Sequence, residues 1–509
     1  MKKSIVRTLS TVFILTAIAK VLGLLRDVVF AKVYGTGIEA TAYFAALKIP
    51  TQIVDIVLSS AITSTFIPVF NEVLQKDGKD KANSFASNFI NVVACISTLI
   101  SVLGIIFAPA LVKLFAGGFD ETTYILTVNL VRITFPMIIF TALAFSFVGF
   151  LQSYGEYNIP ASISGISNLA VILFLLLFSQ KTGIQGLCYF VVFAWFLQLA
   201  IQLPFAKKFG FKFKFSIQKD DPNLKKVFKL AIPILISTAV LPINNLVSMN
   251  FASSMKEGGL ASLEYAYKLY VVVYGIFTYA IGNIIFPELS KENSKEDNSG
   301  FIALMHRSIK LLTFLLIPLT IGIMIYSKDI VSIFYERGEF TSLATLLTSG
   351  ALFYYAIGII GAGLVEIMNK AFYARQNTKV PLIVGICVIV TNLVLCYFLS
   401  KSSLEYKGLA LATALNAIIN GVVLTTILNY QCKGIITKEI VISVVKILIS
   451  SIVMTFIVIG TNTLLGDVLS GTMIKDLLRV CIGAGIGVIV YFALTYVLKE
   501  NQFIQKKMD

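Results

Sequence analysis

Charge is scarce in this chain: Asp, Glu, Lys and Arg make up 14% of its 509 residues, against about 25% in soluble proteins. A water-soluble surface of ordinary composition is thereby excluded. Histidine is scarcer still. His306 stands alone, which excludes chemistry that needs a histidine pair, di-histidine metal sites among them. The six cysteines, Cys95, Cys188, Cys387, Cys396, Cys432 and Cys481, are scattered and form no CxxC pair. No disulfide framework is expected, and each cysteine reads as a small buried hydrophobe. Acidic residues are outnumbered 27 to 42 by basic ones, for a net charge of +15. The basic residues sit in short loops between apolar runs, so no nucleic-acid partner is expected.

What the chain has in abundance is hydrophobic residues, at 57%. Apolar runs of 20 or more residues recur from end to end, each long enough for a spanning helix. The fold class is therefore all-α, a polytopic membrane protein. Fourteen apolar segments are predicted, near 7–34, 41–70, 84–115, 122–151, 158–179, 184–206, 226–254, 260–289, 301–326, 343–373, 380–400, 406–430, 438–464 and 475–498. The start "MKKSIVR" followed by "TLSTVFILTAIA" has the look of a secretion leader, with Ala17 and Ala19 in an A-x-A arrangement. The helical pattern runs on through Lys20 to about Tyr34, so the stretch is read as the first span. Lysine and arginine concentrate in alternate loops, which places both termini on the cytoplasmic side.

Residues 207–229 form the longest polar break and are rich in lysine. They read as a topology signal and domain linker, with contact to anionic lipid as the second reading. On either side the sequence repeats itself. "STFIPVFNE" returns as "NIIFPELSK", pairing Pro68 with Pro287. "LFAGGFDETT" returns as "FYERGEFTS", "NIPASISG" as "KVPLIVGI", and "IQGL" as "YKGL". The offsets are 219, 221, 221 and 222, in the same order, which marks an internal duplication. An even helix number per copy makes the two repeats parallel, an arrangement known in alternating-access carriers. The expected organisation is an N-terminal lobe of helices one to six (1–206), a basic linker (207–225), a lobe of helices seven to twelve (226–432), and two further helices with a cytoplasmic tail (433–509).

The first segment contains "AKVLGLLRDVVFAKVYG". A charge at mid-bilayer costs about 2.5–3.5 kcal/mol on insertion scales. Lys20, Arg26 and Asp27 must therefore face a wet cavity or one another. Lys20 and Asp27, seven residues apart, share a helix face. An internal clamp without a ligand is one reading. More cations favour a binding site. Lys48 and Lys268 are 220 residues apart, within the repeat offset, so they are equivalent positions of the two copies. Converging lysines beside Lys20 and Arg26 suit a phosphate or pyrophosphate. Glu264, four residues before Lys268, is placed to pair with it. Arg132 and Glu366 are weaker candidates, each read first as a helix-end charge or part of a structural pair.

These stretches resemble a known family. "KVLGLLRDVVFAKVYGTG", "AYFAALKIP", "FIPVF", "YERGEFT", "KAFYARQNTKVP" and "GLALATALNAIING" resemble, in order, the MurJ (MviN) lipid II flippases of the multidrug/oligosaccharidyl-lipid/polysaccharide exporter superfamily. The resemblance implies fourteen helices, two lobes and a terminal pair grooved for a lipid tail. It implies outward movement of an undecaprenyl-pyrophosphate-linked peptidoglycan precursor across the bacterial cytoplasmic membrane, with no covalent chemistry and no cofactor. Arg26 and Asp27 fall on the family's Arg-Asp pair, while Lys20 and Lys268 replace arginines. Thr41 stands where many members have aspartate, and Val54 and Asp55 where they have an Arg-Arg pair. The family's sodium-site acids fall on Ser248 and Cys396, with Asn392 and Thr413 polar beside them. Coupling to sodium, protons or the membrane potential stays open. A functional monomer among membrane lipids is expected. The same-fold alternatives are a flippase for another lipid-linked polysaccharide unit and a cation-coupled drug exporter, which would want an acidic cavity. A membrane sugar transferase would want clustered catalytic acids or histidines.

Overall fold

The computed structural model describes residues 2–56, 65–293, 297–466, 469 and 473–500. The expected cytoplasmic tail from Asn501, residues 57–64 of the second apolar segment and part of "SKENSKEDNS" lie outside the described residues. Nineteen helices occur among the described residues, and no strand. In the first half these are α1 Lys2–Tyr34, α2 Ile38–Val54, α3 Ile67–Ile106, α4 Ala108–Phe115, α5 Glu121–Thr134, α6 Met137–Ser153, α7 Asn158–Leu177 and α8 Ser179–Lys208. Then come α9 Pro222–Thr238, α10 Val240–Ser253, α11 Gly259–Asn293, α12 Ser299–Ile325, α13 Ser327–Tyr335, α14 Ser342–Ile357, α15 Ile359–Ala374, α16 Lys379–Ser400 and α17 Tyr406–Cys432. The chain closes with α18 Lys438–Gly466 and α19 Met473–Val497.

The apolar segments are present, several of them broken. Nine helical stretches among the described residues are long and apolar enough to span, ten with the α14–α15 pair, which bends by 45°. The other four segments fall on α1, α2, α9 with α10, and α11. Sequence periodicity misses these breaks because each has a local cause. Pro136 interrupts the fourth segment between α5 and α6. Phe107 ends α3, and Pro109 opens α4 in the first turn, where its missing N–H costs nothing. The polar stretch 71–83, expected as a loop, is instead two helical arms of α3 joined at Gly78, whose φ of 83° suits glycine alone. The duplication governs the breaks as well as the spans. Short α4 and α13 are equivalent, and each precedes a turn whose capping residue, Asp120 or Thr341, accepts from backbone N–H groups of the next helix. Those bonds hold the exposed Asp120 carboxyl below its usual range, the largest contribution coming from the Thr123 hydroxyl.

The chain forms two compact units, Met1–Glu257 with Arg337–Phe340, and Gly258–Glu336 with Thr341–Asp509. In the first, α1 lies along α7, α3 and α8 pack on α6, and α2 packs on α5. Phe66 stacks on Phe89 at 4.7 Å and Phe70 meets Phe150 edge-on at 5.4 Å. Helices α9 and α10 pack into this unit too, although the repeat pairs them with α1. Asn245 donates to Gln52 at 2.9 Å, Asn250 to the Leu114 carbonyl at 2.7 Å, and Gly118 N–H to Ser253 at 3.0 Å.

In the second unit α17 lies against α15 and α16, and α18 against α12 and α19. Lipid tails are as apolar as leucine, so close approach and polar contacts, not burial from water, hold such helices together. Gly361 shows the first: an added Cβ would lie 2.5 Å from the Ile418 nitrogen of α17. The terminal pair shows the second. Phe314, Ile317, Tyr326, Ile447, Met454, Val458 and Tyr491 form one core. Tyr491 donates to the Phe314 carbonyl at 2.7 Å, and Arg479 pairs with Asp329.

The lysine-rich linker is not a loose tether. A polar face of α3 grips its backbone. Asn83 donates to the Gly210 carbonyl at 2.9 Å, and Ser87 accepts from Lys214 N–H at 2.8 Å. Asn88 accepts from Gln218 N–H at 2.8 Å, and Asn91 donates to the Lys214 and Ser216 carbonyls at 2.6 and 3.2 Å. All four side chains are buried.

Candidate functional site

In the first unit, α1 carries its charges into a network shared with α7. Arg26 donates to Asp27 Oδ1 from Nη2 at 2.9 Å and from Nε at 3.3 Å. Its Nη1 donates to Asn168 Oδ1 at 3.0 Å, and Asn168 Nδ2 donates to the Ala19 carbonyl at 3.3 Å. Gly23 makes room for this amide, since an added Cβ would stand 3.3 Å from Asn168 Nδ2. The Asp27 side chain is 11% exposed and that of Arg26 34%. The carboxylate is thus sealed while the guanidinium edge stays accessible. Below it Phe30 stacks on Tyr43 at 4.5 Å, fixing α1 against α2. Asn168 was not among the residues singled out from sequence, since an amide in the apolar run "GISNLAV" is a weak signal beside a charge.

The other predicted residues of this unit differ in exposure. Lys20 is exposed on α1 and Lys48 half-buried on α2. Asp55 is exposed just past the end of α2. Arg132 is exposed in the last turn of α5, where a cation offsets the helix dipole. Ser248 is half-buried on α10.

In the second unit Glu264 and Lys268 are half-buried, one turn apart on α11. Lys268 Nζ lies 5.8 Å from the Tyr265 ring centroid. Around them is an aromatic cluster that sequence reading passed over. Tyr270 stacks on Tyr355 at 5.7 Å, and Tyr267 meets Tyr355 at 5.6 Å. Glu366 pairs with Lys370 at 3.7 Å along α15. Asn392 is buried on α16 and accepts from the Cys396 thiol at 3.8 Å. Thr413 donates to the Leu409 carbonyl at 3.1 Å. Asn392 and Thr413 therefore belong to this unit and Ser248 to the other. Among the described residues no group of three His, Cys, Asp or Glu is placed to hold a metal ion. None of the six cysteines forms a disulfide among the described residues, but Cys95, Cys387 and Cys481 are exposed on apolar helix faces rather than buried as expected.

Chemically, the first unit offers an oriented guanidinium with its counter-ion sealed behind it. Such a group suits recognition of a phosphate or carboxylate by fork geometry.

Comparison with known proteins gives one answer. A probable lipid II flippase MurJ of Vibrio cholerae is 28% identical over 495 residues, covering 95% of this chain and 94% of that protein. A probable lipid II flippase MurJ of Rickettsia prowazekii is 30% identical over 489 residues, covering 95% and 96%. A solved structure of lipid II flippase MurJ in an inward closed conformation superposes with a TM-score of 0.82 at 27% identity, over 96% of this chain and 99% of that one. The family model described as lipid II flippase MurJ matches residues 30–477, so the chain belongs to the MurJ family.

Proposed function

We propose that this chain is a lipid II flippase, a transporter that carries a lipid-linked glycolipid across the membrane its helices span. The observation that carries this reading is the family match across residues 30–477, with relatives matched over nearly their whole length. The physical task is plain. A sugar-peptide headgroup with a pyrophosphate loses its hydrogen bonds to water in hydrocarbon, at several kcal/mol per group. A protein that shields it and offers cations lowers that barrier.

Arg26 is assigned to the pyrophosphate, oriented by Asp27 and Asn168. Lys20, Lys48 and Lys268 are assigned as further anion contacts, on the strength of their charge and, for the last two, of the repeat. The lipid carrier is assigned as undecaprenyl, the membrane as the bacterial cytoplasmic membrane, the termini as cytoplasmic and the working unit as a monomer. Both lobes alternate access to the headgroup while the tail stays in lipid.

The test is replacement. In cells depleted of their own lipid II flippase, expression of this chain should restore growth and the externalisation of lipid II. Normal abundance in the membrane without either would overturn the assignment.

A further inference from the structure

The grip of α3 on the linker fixes the backbone but leaves its side chains outward. Phe213, Phe215 and Ile217 are 60%, 84% and 40% exposed, at alternate positions. Lys212 precedes them and Lys214 lies between the two rings, both exposed. Residues 207–229 hold eight lysines against two aspartates. A held segment of exposed aromatics and lysines is a membrane-interface surface: the rings sit among acyl chains and headgroups, the ammonium groups among phosphates.

One end of this strap closes a recess of about 480 Å³. That volume is ordinary for a small-molecule site. Val92 and Ile96 of α3 line it, with Ile217 and Lys219 of the strap and Lys225 and Phe228 of α9. Its walls are thus mainly apolar, with two lysines among the lining residues. The apolar wall continues along α3 through Leu99, Val102, Leu103 and Ile106, all exposed. A matching ligand has an anionic head and a long hydrocarbon chain.

We propose that this recess binds the headgroup of an anionic phospholipid of the surrounding leaflet, with its chains lying along α3. Lys225 is engaged by Asp220 at 2.9 Å, an exposed pair whose ammonium draws the Asp220 carboxyl below its usual range. The lipid phosphate takes over that ammonium, and Lys219 supplies a second. This site is separate from the substrate assignment and does not depend on it.

Cys95 provides the readout, because it lines the recess and is free and exposed. Cys387 and Cys481 are free and exposed elsewhere and serve as internal references. In the detergent-solubilised full chain, N-ethylmaleimide labelling of each cysteine is followed by peptide mass spectrometry. Added phosphatidylglycerol should slow Cys95 labelling several-fold relative to the two references, and phosphatidylcholine should not. A lysine near an anionic lipid surface contributes about 1 kcal/mol, so Lys219→Gln/Lys225→Gln should shift the protecting concentration upward by about thirtyfold. Asp220→Asn, which frees Lys225, should shift it downward. The opposite signs separate a binding effect from damage to the fold. Equal protection by the two lipids, protection that survives the double substitution, or protection by inorganic phosphate alone would each overturn the proposal.

Discussion

Arg26 illustrates how one side chain serves stability and recognition at once. Its Nε and Nη2 neutralise a carboxylate that is nearly sealed, and its Nη1 is held by Asn168. Arg26→Ala therefore removes both a candidate phosphate ligand and the partner of Asp27. Stranding one member of such a pair costs up to about 3–5 kcal/mol, whereas removing both leaves no charge stranded. We expect Arg26→Ala to abolish flipping with reduced membrane abundance. Arg26→Ala/Asp27→Ala should recover abundance, measured by immunoblot of membranes, without recovering flipping. A double variant that transports normally would remove Arg26 from the site. The charged pair was legible in the sequence because any ionised group in an apolar run demands an explanation. Asn168 was not, because an amide in a span is cheap enough to pass as ordinary, and its partner lies 142 residues away. Lys370 escaped notice for a related reason: Glu366, one turn earlier, already accounts for it.

At the scale of elements, apolar run length located the spans, and local backbone chemistry decided where they break. Proline at 109 and 136 and glycine at 78 are visible in the sequence, yet whether such a residue ends a helix or bends it depends on what packs there. The linker is the clearest case of structure adding to sequence. Its lysines read as a topology signal. The polar residues that fasten it, Asn83, Ser87, Asn88 and Asn91, recur on one face of α3 at spacings of four, one and three, which is helical periodicity without an evident partner. The partner is backbone, and backbone carries no sequence signature. Asn91→Ala removes two bonds to that backbone, at about 0.5–1.5 kcal/mol each. When opening is fast, cleavage follows the open population. Trypsin should then cut after Lys214 in the folded full chain about tenfold faster, with cleavage after the equally exposed Lys181 unchanged as a control. An unaltered rate at Lys214 would mean that the strap is held by something other than α3.

For the whole molecule, the duplication organises everything but the last two helices. Four short matches at a nearly constant offset were enough to read it, and paired features such as α4 with α13 and the caps Asp120 and Thr341 follow the same offset. The compact units could not be read the same way, since the repeat is a relation of sequence while packing ties α9 and α10 to α2, α3 and α4. Direction depends on orientation. In a cysteine-free background, Lys212→Cys should react with a membrane-impermeant maleimide only after the membrane is opened, and Glu339→Cys should react in intact cells; the reverse pattern would invert the transport direction. With that orientation, the driving force can be argued from charge. Ser248 and Cys396 are neutral where the family resemblance implies sodium-binding acids, which weakens the case for a sodium gradient. The substrate's pyrophosphate is anionic, and an inside-negative potential favours its outward movement by up to about 2.3 kcal/mol per elementary charge per 100 mV. We propose the potential as the drive. In vesicles with potential set by a potassium gradient and valinomycin, flipping should slow as the potential is clamped toward zero. Replacing sodium by choline at constant potential should leave the rate unchanged. Loss of transport on sodium removal, with the potential intact, would return the coupling to an ion site and would make Asn392 and Thr413 the first residues to substitute.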